Sequence, residues 1–111
     1  MKRQKKIDDN IYDAILEITL LIPPGRVTTY GTIAKAVGHP TGARMVARAM
    51  GMRLSDQPDV KIPVFRVVSS GGFLKGEHDN RQKMLEAEGH EIKNDKIVDF
   101  KKVFWDPLEE I

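Results

Sequence analysis

The sequence predicts a mainly α-helical domain with a small β part. Three observations carry this: isoleucines recur at helical spacing near the start, two further short helical stretches flank a Gly-His-Pro turn, and a β-branched run follows that Ser and Gly punctuate. A chain of 111 residues, 41% hydrophobic and 31% charged, has the composition of one compact domain, long enough to bury a hydrophobic core and too short for a second full domain.

Ile11, Ile15, Ile18 and Ile22 share one face behind the capping candidates Asp8 and Asp9, and Pro23-Pro24-Gly25 ends the run, so a helix is predicted over 9–22. Residues 1–8 read as a basic tail that frays ahead of it. Thr28 or Thr29 caps a second helix through Tyr30, Ile33, Ala34 and Val37, stopped by Gly38 with Pro40 just beyond. Residues 42–52 form a third, with Met45, Val46, Ala49 and Met52 toward the core and Arg44, Ala47 and Arg48 away from it. Two short helices around a tight turn, the second basic and rich in small residues, make a helix-turn-helix pattern. From Ile62 to Val68 the chain is apolar and β-branched; Ser69-Ser70-Gly71-Gly72 turns it and Phe73-Leu74 returns, which predicts a short hairpin or wing. A fourth helix over 78–88 ends at Gly89, and Ile92, Ile97 and Val98 flank Asn94-Asp95 as a terminal hairpin. Trp105 beside Phe104 reads as the anchor that docks the C-terminal tail. Residues 9–111 thus read as a single winged helix-turn-helix domain with short hairpins.

The absence of cysteine removes disulfides, thiolate metal sites and every cysteine nucleophile. His39, His78 and His90 fall on three separate elements without ligand spacing, so neither a metal nor a cofactor is expected. No apolar run approaches the ~18 residues of a membrane span, and Asp8 and Asp9 interrupt any signal-peptide core, so no membrane partner and a cytoplasmic location, nucleoid-associated in a bacterium, are the expectation. Net charge is only +2, yet it is unevenly spread: residues 1–25 are neutral, 26–66 carry +5 and 67–111 carry −3. A basic middle points either to a face that meets phosphates or to an uneven solvated surface.

Four segments in register are more specific. Gly25-Arg26-Val27-Thr28-Thr29-Tyr30-Gly31-Thr32-Ile33-Ala34, then Gly38-His39-Pro40 with Ala43-Arg44-Met45-Val46-Ala47-Arg48-Ala49-Met50, then Ile62-Pro63-Val64-Phe65-Arg66-Val67-Val68, then Glu86-Ala87-Glu88-Gly89 resemble the DNA-binding domain of the O6-alkylguanine-DNA alkyltransferases, the methylated-DNA-protein-cysteine methyltransferase family. The ending, with Ile97, Asp99, Phe100, Trp105 and Pro107, is similar to the tail of the alkyltransferase-like branch, which lacks the transferring cysteine. The family's reactive loop reads Pro-Cys-His-Arg-Val, and here it is Pro63-Val64-Phe65-Arg66-Val67. Val64 has neither a lone pair nor a proton to lose, so the resemblance implies that no alkyl group is transferred to the protein. Glu88 matches the glutamate of the family's relay to the histidine; with both partners replaced, it reads as a solvated helix-end residue. Arg66 reads as structural, tying its loop to the protein through backbone carbonyls.

The resemblance also implies roles. The third helix lies in the minor groove, where Gly42, Ala43 and Ala47 permit close approach, although small residues equally permit tight packing. Arg44 is the finger that fills the space of a flipped nucleotide; read without the family it is an ordinary surface charge. Tyr30 presses on the 3′ phosphate and rotates the target nucleotide, or else caps the core. The pocket that receives the base is lined by Tyr30, Val64, Phe65, Val67, Ser70, Phe73, Leu74 and Gly76, and Phe65 either stacks on the base or packs in the core. Thr41, Arg48, Arg53 and Lys61 contact phosphates. The function so implied is a non-enzymatic, monomeric DNA-repair protein. It binds double-stranded DNA containing O6-alkylguanine by minor-groove docking and base flipping, and signals to nucleotide excision repair proteins. A general or sequence-specific helix-turn-helix DNA binder and a protein-interaction module are the alternatives.

Overall fold

The computed structural model describes residues 9–52, 62–74 and 79–110. The first apolar stripe forms α1, Asp9–Leu21, which the two prolines stop. Its buried face is turned slightly from the isoleucine stripe: Tyr12, Ile15, Thr19 and Ile22 are buried, whereas Ile11 and Ile18 are half-buried. Thr19 tolerates burial because its hydroxyl donates to the Ile15 carbonyl at 2.7 Å.

β1, Thr28–Thr29, leads directly into α2, Tyr30–Ala36. Of the two threonines, Thr29 is the cap, its Oγ1 accepting from the Thr32 amide at 3.1 Å. Gly38, at φ +89°, ends α2 in a Schellman arrangement: its N–H donates to the Lys35 carbonyl at 3.1 Å and the His39 N–H to the Ala34 carbonyl at 2.8 Å. The Gly42 carbonyl then accepts from Val46 at 3.0 Å and opens α3, Ala43–Met52. Val46, Ala49 and Met50 form its buried face and Met45 is half-buried. Met50 was not among the expected core residues, although it stands four positions after Val46 on the same face. The Met52 side chain, expected in the core, lies outside the described residues.

The predicted turn and return are present, and the strand ahead of them has a partner that the sequence does not announce. After a 3₁₀ turn at Val64–Arg66 comes β2, Val67–Val68, which pairs in parallel with β1, Thr28 opposite Val67 and Thr29 opposite Val68. The return at Phe73 makes one antiparallel bridge to Ser69 and another to Lys96, and no two-stranded hairpin forms there among the described residues. A parallel partner across an intervening pair of helices is non-local, so no turn signal announces it.

α4, Asp79–Ala87, ends before Gly89, and β3, Ile92–Lys93, pairs antiparallel with β4, Lys96–Ile97, through the left-handed pair Asn94 and Asp95. Two short helices follow, α5 at Phe100–Val103 and α6 at Pro107–Glu110. Val27 donates to the Val103 carbonyl at 3.0 Å and its own carbonyl accepts from Trp105 at 2.7 Å, so the tail lies alongside the chain that enters β1. Trp105 is buried among α1, α2 and α3 residues, the anchor that the sequence suggests.

Two cores result. Tyr12, Ile15, Ile22, Ile33, Ala34, Val46, Ala49, Met50, Val67 and Trp105 form the helical one. Val27, Val68, Leu74, Leu85 and Ile97 form the other, with Phe65, Ile92, Phe100 and Val103 at its edge. Adjacent β2 residues face opposite ways, so Val67 enters the first and Val68 the second.

The turn at Ser70–Gly72 is pinned to α5. Gly72 has φ +90°, and a Cβ there would lie 2.8 Å from Phe100 ring carbons. Gly72→Ala is expected to destabilise the fold by about 2 kcal/mol through strain and overpacking, read as a lower urea midpoint. An unchanged midpoint would mean that the turn moves freely.

Candidate nucleic-acid interface

On α3 the exposed residues Arg44, Arg48 and Gly51 follow one another at helical spacing opposite the buried Val46, Ala49 and Met50. Neither arginine pairs with a carboxylate among the described residues. Ala43 and Ala47 border this face and are half-buried, and Thr41 is exposed at its start. The small size of Gly42 has a cause inside the fold: a Cβ would lie 3.0 Å from the His39 carbonyl oxygen and 3.3 Å from the Met45 methyl carbon. A side chain at Gly42 would thus need its neighbours to give by a few tenths of an ångström, a constraint that the turn sets whatever the helix meets.

Tyr30 is the first residue of α2, held there by the Thr29 cap and packed, half-buried, on the helical core. Thr28 is buried with no partner for its hydroxyl among the described residues. Val64 packs on the same helical core as Tyr30, while the neighbouring Phe65 packs on the second core with the Arg66 guanidinium 5.0 Å from its ring centroid. Ser70 and Phe73 are exposed, but Val67 and Leu74 are 0% and 3% exposed. Val67 and Leu74, expected in the pocket lining, place their side chains in the two cores, as β-branched and aliphatic residues on a short strand and its return tend to do. Of the expected lining, Tyr30, Val64 and Val67 pack on the helical core, and Phe65 and Leu74 on the second one. Gly76, Arg53, Lys61 and His78 lie outside the described residues.

Arg66 and Glu88 are tied together at the base of the loop. The guanidinium donates through Nε to both Glu88 carboxylate oxygens at 3.1 Å and through Nη2 to Oε2, while Nη1 donates to the Ile22 carbonyl at 3.0 Å. Gly25 N–H adds a further donor to Glu88 Oε1 at 3.1 Å. The structural reading of Arg66 stands, with a carboxylate added to the backbone carbonyl. The reading of Glu88 as a solvated helix end is overturned, because its side chain is only 17% exposed and accepts from both the Arg66 guanidinium and the Gly25 amide. Burial pushes the Glu88 carboxyl up, but the Arg66 and Gly25 hydrogen bonds and the nearby positive charge outweigh it and hold it below its ordinary value. His90 is buried, with no partner for Nε2 among the described residues; burial lowers its affinity for a proton, and the Glu88 charge offsets this only in part.

Of the basic residues in the middle of the chain, Arg66 is thus spent inside the fold. Arg26 is spent on the tail, donating to the Val103 and Phe104 carbonyls at 3.1 and 2.6 Å and pairing with Glu110 at 2.9 Å. Lys35, Arg44 and Arg48 remain exposed. His39 is exposed and remote from any ligand set, and no group of three His, Asp or Glu side chains suited to a metal occurs among the described residues.

Comparison with known proteins bears on this arrangement directly. Residues 10–90 match the model of the 6-O-methylguanine DNA methyltransferase DNA-binding domain. The chain belongs to that family. Within it, the chain is 41% identical over 103 residues to the DNA base-flipping protein of Vibrio parahaemolyticus, covering 89% of this chain and 99% of that protein. Alkyltransferase-like protein 1 of Schizosaccharomyces pombe is 35% identical over 114 residues, covering 95% of this chain and 99% of its own. The crystal structure of S. pombe Atl1 in complex with damaged DNA containing O6-carboxymethylguanine aligns with a TM-score of 0.80 at 30% identity, over 92% of this chain and 100% of that one.

The shifts of Glu88 and His90 give acid sensitivity a definite sign. Glu88, lowered from 4.5, contributes stability above that value that is lost as pH falls through its folded-state pKa; His90, lowered from 6.5, likewise favours the fold above 6.5 and opposes it as acid charges the unfolded chain first. The thermal midpoint is expected to fall in two stages on acidification, with His90→Gln removing the stage that begins near 6.5. Glu88→Gln, which leaves Arg66 without its carboxylate, is expected to cost about 2 kcal/mol at neutral pH. A midpoint independent of pH between 7 and 5 in the parent would contradict the His90 assignment.

Proposed function

We propose that this protein is a non-enzymatic sensor of O6-alkylguanine in duplex DNA. The observation that carries the reading is an alkyltransferase DNA-binding fold on a chain without a cysteine; the resemblance of Pro63-Val64-Phe65-Arg66-Val67 to the family's reactive loop puts Val64 where the nucleophile would stand. Alkyl transfer needs a polarisable thiolate with a neighbouring base, and Val64 and Phe65 supply neither. What remains is recognition: α3 enters the minor groove, the small residues Gly42 ahead of it and Ala43 and Ala47 on it allowing close approach. Arg44 occupies the stack in place of the extruded nucleotide, and Tyr30 presses on the adjacent phosphate. Thr41 and Arg48 hold neighbouring phosphates, and the flipped base is received near Tyr30 and Val64. The relatives named for base flipping and the Atl1 complex with O6-carboxymethylguanine support this reading. Handing the marked site to nucleotide excision repair is the role such a sensor would fill.

The burial of Val67 and Leu74 favours a second reading, a general helix-turn-helix DNA binder whose ancestral pocket is packed shut. A paired titration separates the two. One duplex carries guanine or O6-methylguanine at the same site, measured at two salt concentrations with the parent and Arg44→Ala. Lesion sensing predicts a preference for the methylated duplex of roughly tenfold or more, a difference of about 1.4 kcal/mol, that Arg44→Ala largely abolishes. Equal and steeply salt-dependent binding to both duplexes would select the general binder. Incubation with methylated DNA should leave the protein mass unchanged; a gain of one methyl group would sink the non-enzymatic reading.

A further inference from the structure

An open cleft of about 580 Å³ lies beside the turn at Gly71, with no α3 residue in its lining. Lys93 and Lys96 of the β3–β4 hairpin line it together with Lys101 and Lys102 of α5, and all four side chains are exposed. Asp99 is the single carboxylate in that lining, so the cleft carries a net +3. Like charges gathered round one concavity repel one another and raise the local concentration of anions. The Lys96 Nζ also lies 5.6 Å from the ring centroid of the exposed Phe73, which restrains one of the four ammonium groups at the rim.

The position of the cleft decides what anion it meets. The Ser70–Gly72 turn packs against β1 on one flank and β4 on another. Because β1 and β2 are parallel, both strands run out at the same edge, where Tyr30 follows Thr29 and Ser69 follows Val68. A single turn therefore separates the edge that carries Tyr30 from the lysine cleft. Lysine is a compact, strongly hydrated charge on a flexible stem, suited to phosphodiesters without reading bases.

We propose that the lysine cleft binds the phosphodiester backbone of the same DNA that α3 engages, on the side of the duplex next to Tyr30. The proposal rests on the DNA-binding reading above and adds a second anchoring point to it. Its contribution is affinity and not lesion choice, since phosphate contacts position a protein and carry no base information.

The test uses the full chain and duplexes about two helical turns long, with guanine or O6-methylguanine at the centre, titrated across a salt series. The variants are Lys96→Gln with Lys101→Gln, Lys101→Gln with Lys102→Gln, Arg44→Ala, and Lys83→Gln on α4 as an exposed control. Both lysine pairs are expected to bind the two duplexes about fivefold to tenfold more weakly, with a log-log salt slope shallower by about two and with the ratio between the duplexes retained. Lys83→Gln should match the parent. Parental affinity and slope in both lysine pairs, with unchanged thermal midpoints, would overturn the proposal. So would stabilisation of the parent by inorganic phosphate, lost in the lysine pairs without any loss of DNA binding, because the cleft would then take the free anion. If the parent shows no lesion preference while the lysine pairs still lose affinity and slope, the sensor reading fails and the cleft stands.

Discussion

The Arg66–Glu88 pair holds together parts of the chain that no secondary structure joins. Arg66 reaches the carbonyl of Ile22 at the end of the first helix, and Glu88 reaches the amide of Gly25 in the turn that follows. Between them they fasten the loop bearing Val64 and Phe65 to α4 and to the entry of β1. Withdrawing a guanidinium and a carboxylate from water costs several kcal/mol per ion, and here that is offset by bidentate geometry and two backbone partners. If either side chain is lost, the other is left charged and poorly solvated, so the pair acts as one unit.

From that tie follows the division into two cores. Val67 and Val68 emerge from the fastened loop into the parallel pair with Thr28 and Thr29, and their alternation sends one side chain into each core. Tyr30 begins α2 at the edge where this pair ends, and α2 and α3 are packed against each other through the Gly38 and Gly42 turn. The tail closes the other flank through Arg26 and Trp105. The exposed face of α3 is thus set on a frame whose dimensions depend on buried charge, a parallel strand pair and a docked tryptophan.

Charge is distributed by folding and not by sequence segment. The basic middle of the chain loses Arg26 and Arg66 to internal partners, which leaves a narrower cationic face than its composition suggests. The acidic final third, conversely, presents four lysines around one cleft because its hairpin and α5 bring them together. Segment averages conceal both facts, since neighbours in space here come from different elements.

The helices, the Thr29 cap and the helix-turn-helix were legible from the sequence, because spacing at 3.6 residues, Thr before a helix and Gly after one act within a few residues of each other. The family motifs and the missing cysteine were equally legible, as they need only identity and order. Three features depended on the tertiary structure: the parallel partner of Val67 and Val68, the burial of Val67 and Leu74, and the partnership of Glu88 with Arg66. Each is a contact between residues more than twenty positions apart or a consequence of one, and local signals carry no information about where such partners meet. Glu88 shows the difference most clearly: at the end of a helix it looks like a solvated charge, and only the fold supplies the guanidinium that makes its burial favourable.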